Sequence, residues 1–182
     1  VPTSIGVVMR HSVSSVAVAV IALCFALFAG APAGARTSGP QEVSFHAEAD
    51  PGTIIIRTSE RRLYLLTGKG RALAYDIAVG RPSEQWFGRS WVSKKRPKPT
   101  WTPTPSMRAK NPSLPRSVGP GPRNPLGVRA INLGWTAYRI HGTNSPNSIG
   151  RAASSGCFRM RNADVSDLYD RVNVGAQVIV ER

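Results

Sequence analysis

Nine prolines fall between positions 97 and 125 of this 182-residue chain, at 97, 99, 103, 105, 112, 115, 120, 122 and 125. Proline fixes φ and has no N–H to donate, so a run this dense cannot lie in interior strands or helices. Residues 81–125 also carry Trp86, Trp91 and Trp101 and the basic cluster Lys94-Lys95-Arg96. They read as one long loop or lid, and loops of such length in a compact domain are usually functional or disordered. The tryptophans favour order, because their rings need burial. The composition leaves disorder of part of the segment open.

Strand patterns flank this segment. Thr53-Ile54-Ile55-Ile56-Arg57 is β-branched, Arg62-Leu63-Tyr64-Leu65-Leu66 follows a polar break, and Gly68-Lys69-Gly70 predicts a hairpin into a third strand from Ala72 to Val79. Beyond the prolines, Val128 to Leu133 and Thr136 to Ile140 read as strands around a turn at Gly134. Val165, Leu168, Tyr169 and Val172 recur at helical spacing behind Asn162, a candidate N-cap. Asp164 suits the first turn of that helix. Gly175 ends the helical region, and Gln177 to Val180 reads as a closing strand. The result is a mainly β domain with one clear helix.

The N-terminal residues belong to a different class. Arg10 and His11 precede an unbroken apolar run from Val16 to Ala29, and Ala33-Gly34-Ala35 supplies a small-residue cleavage pattern. This is the order of a secretory signal peptide over residues 1–35, with an apolar core short for a membrane span. An uncleaved anchor is the alternative. Lipidation at Cys24 is disfavoured by Leu23 before it, and Met9 is an alternative start to Val1. Residues 36–52 are polar and aperiodic and read as a flexible linker, which cannot hold His46 to the roughly half-ångström tolerance of a catalytic base. The domain proper is then 53–182.

Removal of the signal peptide takes Cys24 with it and leaves Cys157 as a lone thiol. Exported proteins usually pair their cysteines, so an unpaired one is either buried and inert or kept for its reactivity. The formal net charge of +14 usually suggests a nucleic-acid partner. Export argues against nucleic acid and points to anionic envelope polymers or membrane surfaces. A generally basic proteome explains the same balance.

The chemistry concentrates in Ile140–Met160, where His141 precedes Cys157 in a background of Gly, Ser and Asn. His141 ends a strand, and Gly142 leaves its carbonyl able to approach the ring and hold one tautomer. The other ring nitrogen can then take the thiol proton. Ser155-Gly156-Cys157 offers successive amides as an oxyanion hole. Arg151 and Arg159 add charge that favours a thiolate or binds a substrate carboxylate. A structural histidine and a small core cysteine are the plain alternatives. One Cys and one His fall short of a zinc ligand set, and no acidic residue between them supports a papain-like triad.

The pattern from His141 to Ser154-Ser155-Gly156-Cys157-Phe158-Arg159 resembles the L,D-transpeptidase catalytic domain, the YkuD or ErfK/YbiS/YcfS/YnhG family. The similarity runs back through Asn124-Pro125-Leu126-Gly127 and Pro99-x-Trp101-x-Pro103 to the Thr58–Tyr64 strand. It departs at Ser155, where many members have His, and at Phe158, where Ile or Val is usual. The resemblance implies a β-sandwich with one or two short helices and a long Pro/Trp-rich lid. It implies Cys157 as nucleophile, His141 as base, the Gly142 carbonyl as third member and amides of 155–157 around the oxyanion, with Arg159 as the motif arginine on the substrate. Neither cofactor nor metal is implied. The implied partner is the peptidoglycan stem peptide in the periplasm or cell envelope, joined through a thioester into 3→3 cross-links with loss of D-alanine. Hydrolysis on the same fold, attachment of a protein to the stem, and a non-catalytic wall-binding module are the rival readings.

Overall fold

In the computed structural model, residues 39–182 are described; the expected signal peptide lies outside the described residues. The chain enters the fold as a strand where a flexible linker is expected. Gln41–Ser44 (β1) is followed by Ile54–Arg57 (β2), Arg62–Gly68 (β3) and Arg71–Asp76 (β4). The last three form an antiparallel meander, and β1 adds to its edge against β4, Gln41 opposite Ala74. The reading of 36–52 as linker is therefore corrected at β1 and Phe45. The reason lies in the strands themselves. Successive side chains of a strand face opposite ways, and both faces here are apolar. Ile54, Ile56, Leu63, Leu65 and Tyr75 point into the main core. Ile55, Tyr64, Leu66, Ala72 and Ala74 point to the other side, where Phe45 covers them. Phe45 lies on the Tyr64 ring at 4.4 Å, a burial that contributes roughly 2 kcal/mol toward ordering the segment. The β3–β4 hairpin turns on Lys69 and Gly70, both with positive φ (55° and 69°), the two-residue turn that matches strand twist.

After Val79–Gly80 (β5) the second correction appears. Gly88–Pro97 (β6) is a ten-residue strand inside the stretch expected to be loop. The dense run of prolines begins only at 97, and Ser90 and Val92 are buried between exposed Arg89, Trp91 and Ser93. The lid proper is thus 98–125. It is pinned rather than loose: Trp101 and Val118 exchange backbone hydrogen bonds at 2.9 and 2.8 Å. Buried Asn124 donates to the carbonyls of Pro99, Val118 and Gly119 and accepts from the Leu126 amide. Pro105–Lys110 (α1) is a short helix within the lid, its first turn capped by the Thr104 hydroxyl.

Arg129–Leu133 (β7), Arg139–His141 (β8), Ala152–Ser154 (β9), Phe158–Arg159 (β10), Asn162–Arg171 (α2) and Gln177–Glu181 (β11) complete the chain. Nine strands form one hydrogen-bonded run in the order β1-β4-β3-β2-β11-β6-β7-β8-β10. Strand β6 turns the corner: its residues 88–91 pair with β11, and from Val92 onward it pairs with β7, with a register shift between Val92 and Lys94. Strands that change partners at such irregularities fold a sheet into a sandwich. Ile54, Leu63 and Val178 from one half share a core with Ile131, Ile140 and Phe158 from the other. Helix α2 adds Val165 and Leu168 to it, and Val172 follows at its end. The helix starts one residue earlier than expected: Arg161 occupies the N-cap position, and Asn162 does not cap.

Candidate active site

The two ends of the thiol segment are fastened to different strands. Strand β9 pairs in parallel with β5, Gly80 opposite Ser154, and β10 pairs in parallel with β8, Phe158 opposite Ile140 and Arg159 opposite His141. Residues 155–157 are left to bridge the two. Ser154 closes that bridge: its hydroxyl donates to the Cys157 carbonyl at 2.5 Å and accepts from the Gly156 amide at 3.2 Å. The Met160 amide donates to the His141 carbonyl at 2.8 Å, tying the histidine strand to the end of the thiol strand. His141 and Cys157, sixteen residues apart in sequence, thereby line one cleft of about 340 Å³ with Ser154, Ser155 and Arg159.

His141 is 5% exposed, and its Nδ1 lies 2.6 Å from the Gly142 carbonyl. A carbonyl only accepts, so Nδ1 carries the proton and Nε2 keeps its lone pair. Burial lowers the imidazole pKa to about 4; the Gly142 bond opposes this, while Arg159 and Arg139 reinforce it. The ring is neutral at pH 7. Burial also pushes the Cys157 thiol above its ordinary value, and the backbone hydrogen bond from Arg139 and the charges of Arg139 and Arg159 do not reverse that. The Arg159 charge favours the thiolate as expected, but desolvation outweighs it. Arg151, one of the two arginines invoked, borders a separate depression with Asn144–Ser148.

The oxyanion donors are also rearranged. The Gly156 N–H is taken by Ser154, which leaves the amides of Ser155 and Cys157 as the donors of the expected set. The indole N–H of Trp86 donates to the Gly156 carbonyl at 3.1 Å. Across a trans peptide the C=O and N–H point opposite ways, so that bond fixes the direction of the Cys157 N–H. Gly156 has φ +100°, and a Cβ there would overlap the Tyr138 ring. Tyr138 stacks on Trp86 at 5.4 Å with the planes 8° apart. Ser155 accepts a hydrogen bond from Arg81 at 3.0 Å.

Sequence reasoning missed Trp86, Tyr138, Arg139, Arg81 and the working role of Asn162. The Asn162 Oδ1 accepts from Thr143 N at 3.1 Å and its Nδ2 donates to Thr143 O at 3.1 Å, clamping the residues after His141. Gly127 and Gly142 both lie against that amide with no room for a side chain. The lid supplies the facing wall through Trp101, Thr104, Ser106, Met107 and Lys110. Among the described residues no group of three or more His, Cys, Asp or Glu is placed to hold a metal ion. No described helix is long and apolar enough to cross a membrane.

A family model for the L,D-transpeptidase catalytic domain, YkuD, matches residues 51–180. The chain is 37% identical to the probable L,D-transpeptidase ErfK/SrfK of Escherichia coli over 80% of its own length and 48% of that protein. It therefore spans about half the length of that relative. An Enterococcus faecium L,D-transpeptidase superposes with a TM-score of 0.57 at 19% identity, over 72% of this chain and 50% of that one. A Brucella melitensis protein described as a "probable carnitine operon oxidoreductase" is 44% identical with a TM-score of 0.53, over 78% of this chain and 92% of that one. That description stands apart from the others; the cleft in this chain is lined by a thiol and a tautomer-fixed imidazole. On the family match over most of its length, this chain belongs to the L,D-transpeptidase catalytic-domain (YkuD) family.

Proposed function

We propose that the chain is an exported cysteine acyltransferase of peptidoglycan that forms 3→3 cross-links between tetrapeptide stems. The observation that carries this reading is the 2.6 Å bond between His141 Nδ1 and the Gly142 carbonyl, which presents a neutral Nε2 base in the same cleft as the thiol. The reaction starts from neutral thiol and neutral imidazole. As the carbonyl between stem residue 3 and the terminal D-alanine reaches Cys157, His141 takes the thiol proton and sulfur adds to the carbonyl carbon. The amides of Ser155 and Cys157 receive the developing oxyanion. The imidazolium returns its proton to the departing amine, D-alanine leaves and a thioester remains. An amine of a second stem, giving its proton to the same imidazole, then displaces sulfur, and the imidazolium returns that proton to the departing thiolate. Arg159, lining the cleft, is suited to hold a stem carboxylate.

Incubating the purified chain with tetrapeptide muropeptides tests this directly by mass spectrometry. The expected species are an acyl-enzyme lacking D-alanine and a cross-linked dimer, both absent with Cys157→Ala. Tripeptide product without dimer assigns water as the acceptor and replaces transpeptidation with L,D-carboxypeptidase activity. Turnover that survives Cys157→Ala overturns the mechanism.

A further inference from the structure

Outside the catalytic cleft, three large rings on β6 and the segments beside it stand in solvent: Trp135 is 63% exposed, Trp91 46% and Phe87 45%. They are held rather than loose. The Trp135 indole N–H donates to the Arg89 carbonyl at 2.8 Å. The Trp91 indole lies against Gly134, where any side chain would collide with it. The Arg182 guanidinium sits 5.9 Å from the centre of the Phe87 ring. Arg89 and Trp91 occupy the same outward face of β6, two residues apart. A rigid aromatic surface edged by two exposed arginines is a preorganised binding surface, and exposed apolar patches of this kind mark interaction sites.

We propose that Phe87, Trp91 and Trp135 form a saccharide shelf that holds the glycan strand bearing the stem peptide under reaction. The proposal rests on the acyl-transfer reading above and extends it to the polymer backbone. The argument is one of reach. Trp135 meets Trp86 edge-on at 5.9 Å, and Trp86 holds the carbonyl next to Cys157 at 3.1 Å. Trp86 also stacks on Tyr138, which lines the cleft, so the shelf begins two ring contacts from the cleft wall. A stem cleaved after its third residue ties its glycan to the reacting carbonyl by three residues, about 10 Å of extended chain. A bound stem thus carries its sugar out past the cleft wall, where Ala137 lines the cleft two residues from Trp135. The C–H face of a pyranose is a complement to an aromatic π face, whose quadrupole is negative. Arg89 and Arg182 add donors for ring hydroxyls, acetamido carbonyls and the lactyl-stem carbonyls.

The test uses the full chain, Trp135→Ala, Trp135→Phe and Trp91→Ala, with thermal melts confirming that each is folded. The binding probe is peptidoglycan glycan freed of its stems by amidase digestion, followed by tryptophan fluorescence. Wild type is expected to bind saturably, each alanine variant at least fivefold more weakly, and Trp135→Phe in between. In turnover, Trp135→Ala is expected to raise KM for a glycan-bearing tetrapeptide at least fivefold more than KM for the glycan-free tetrapeptide. Equal glycan binding by wild type and the alanine variants overturns the shelf, as does an equal KM change on the two substrates. Ring-dependent binding to phosphatidylglycerol vesicles without ring-dependent glycan binding also overturns it and makes the face a membrane contact. Ring-dependent glycan binding with no turnover of either substrate supports the shelf and instead overturns the acyl-transfer reading.

Discussion

The β2–β4 meander and the strands β8 and β10 belong to one sheet but are held by different physics. In the meander, buried positions are filled by aliphatic and aromatic side chains alternating between two cores. Around the thiol, buried Ile140, Phe158 and Met160 are interleaved with buried polar His141, Thr143 and Ser154. Gly127, Gly142 and Gly156 stand there against neighbours that leave no space for a Cβ. Burial of area tolerates modest changes of shape, whereas a site defined by hydrogen bonds and close backbone approach does not. The meander should therefore govern stability and the thiol region rate, with little crossover.

The largest separation is expected from Gly156→Ala. Its φ of +100° and the Tyr138 ring both oppose a side chain, so the 156–157 peptide must move. Displacing one oxyanion donor costs a factor of about 10²–10³, and misplacing the nucleophile with it should bring the loss in acyl-enzyme formation to about 10³-fold or more. Timed mass spectra measure this, and a rate within tenfold of wild type would show that the region is not held by shape. Leu63→Ala is the converse. Leu63 is fully buried in the main core, so the variant should lose about 3–4 kcal/mol in urea denaturation. Its kcat/KM at low temperature should match wild type. A kcat/KM that falls in step with stability breaks the comparison.

That division also explains what was legible in the sequence. Ile54–Ile56 and Arg62–Leu66 announced their strands, because alternation and β-branching are local signals. His141 and Cys157 were legible as residues of one cleft, and Gly142 as a carbonyl held on the imidazole. The shorter β1 gave no periodic signal, and only Phe45 in a polar stretch hinted that a second face needed cover. Strand β6 was hidden by the prolines that follow it, although residues 88–96 contain none. Trp86 and Asn162 were opaque for another reason. Trp86 reaches Gly156 across 70 positions, and Asn162 reads as a cap until the Thr143 backbone competes for its amide. Local rules cannot see a partner supplied by tertiary structure.

The next effect sharpens the comparison through pH. His141 titrates near pH 4 in the fold against about 6.5 when unfolded. Between those values the unfolded chain binds the extra proton, so the neutral ring's contribution is complete above about pH 6.5 and is lost as pH falls toward 4. The shift corresponds to roughly 3 kcal/mol. Urea denaturation from pH 7 to pH 4 should show that slope, and His141→Gln should remove it. The raised Cys157 thiol predicts an independent signature: alkylation by iodoacetamide should climb at alkaline pH with no acidic plateau, since an imidazolium–thiolate pair is not the resting state. A plateau extending below pH 6 would reverse that assignment.

The smallest effect is the most discriminating. Trp86→Phe keeps an aromatic ring beside Tyr138 and removes the N–H that holds the Gly156 carbonyl. One neutral hydrogen bond contributes about 1 kcal/mol net, so the melting temperature should drop only slightly. A structural role ends there. A positioning role for the Cys157 amide adds a selective loss: acylation passes through an oxyanion, and displacement on iodoacetamide does not. Thioester formation with an acyl donor should slow about tenfold, while alkylation at the same pH stays within a factor of about two. Equal slowing of both reactions would mean that Trp86 supports the thiol itself. Slowing of neither would place the Gly156–Cys157 peptide under the control of Ser154 and β10 alone.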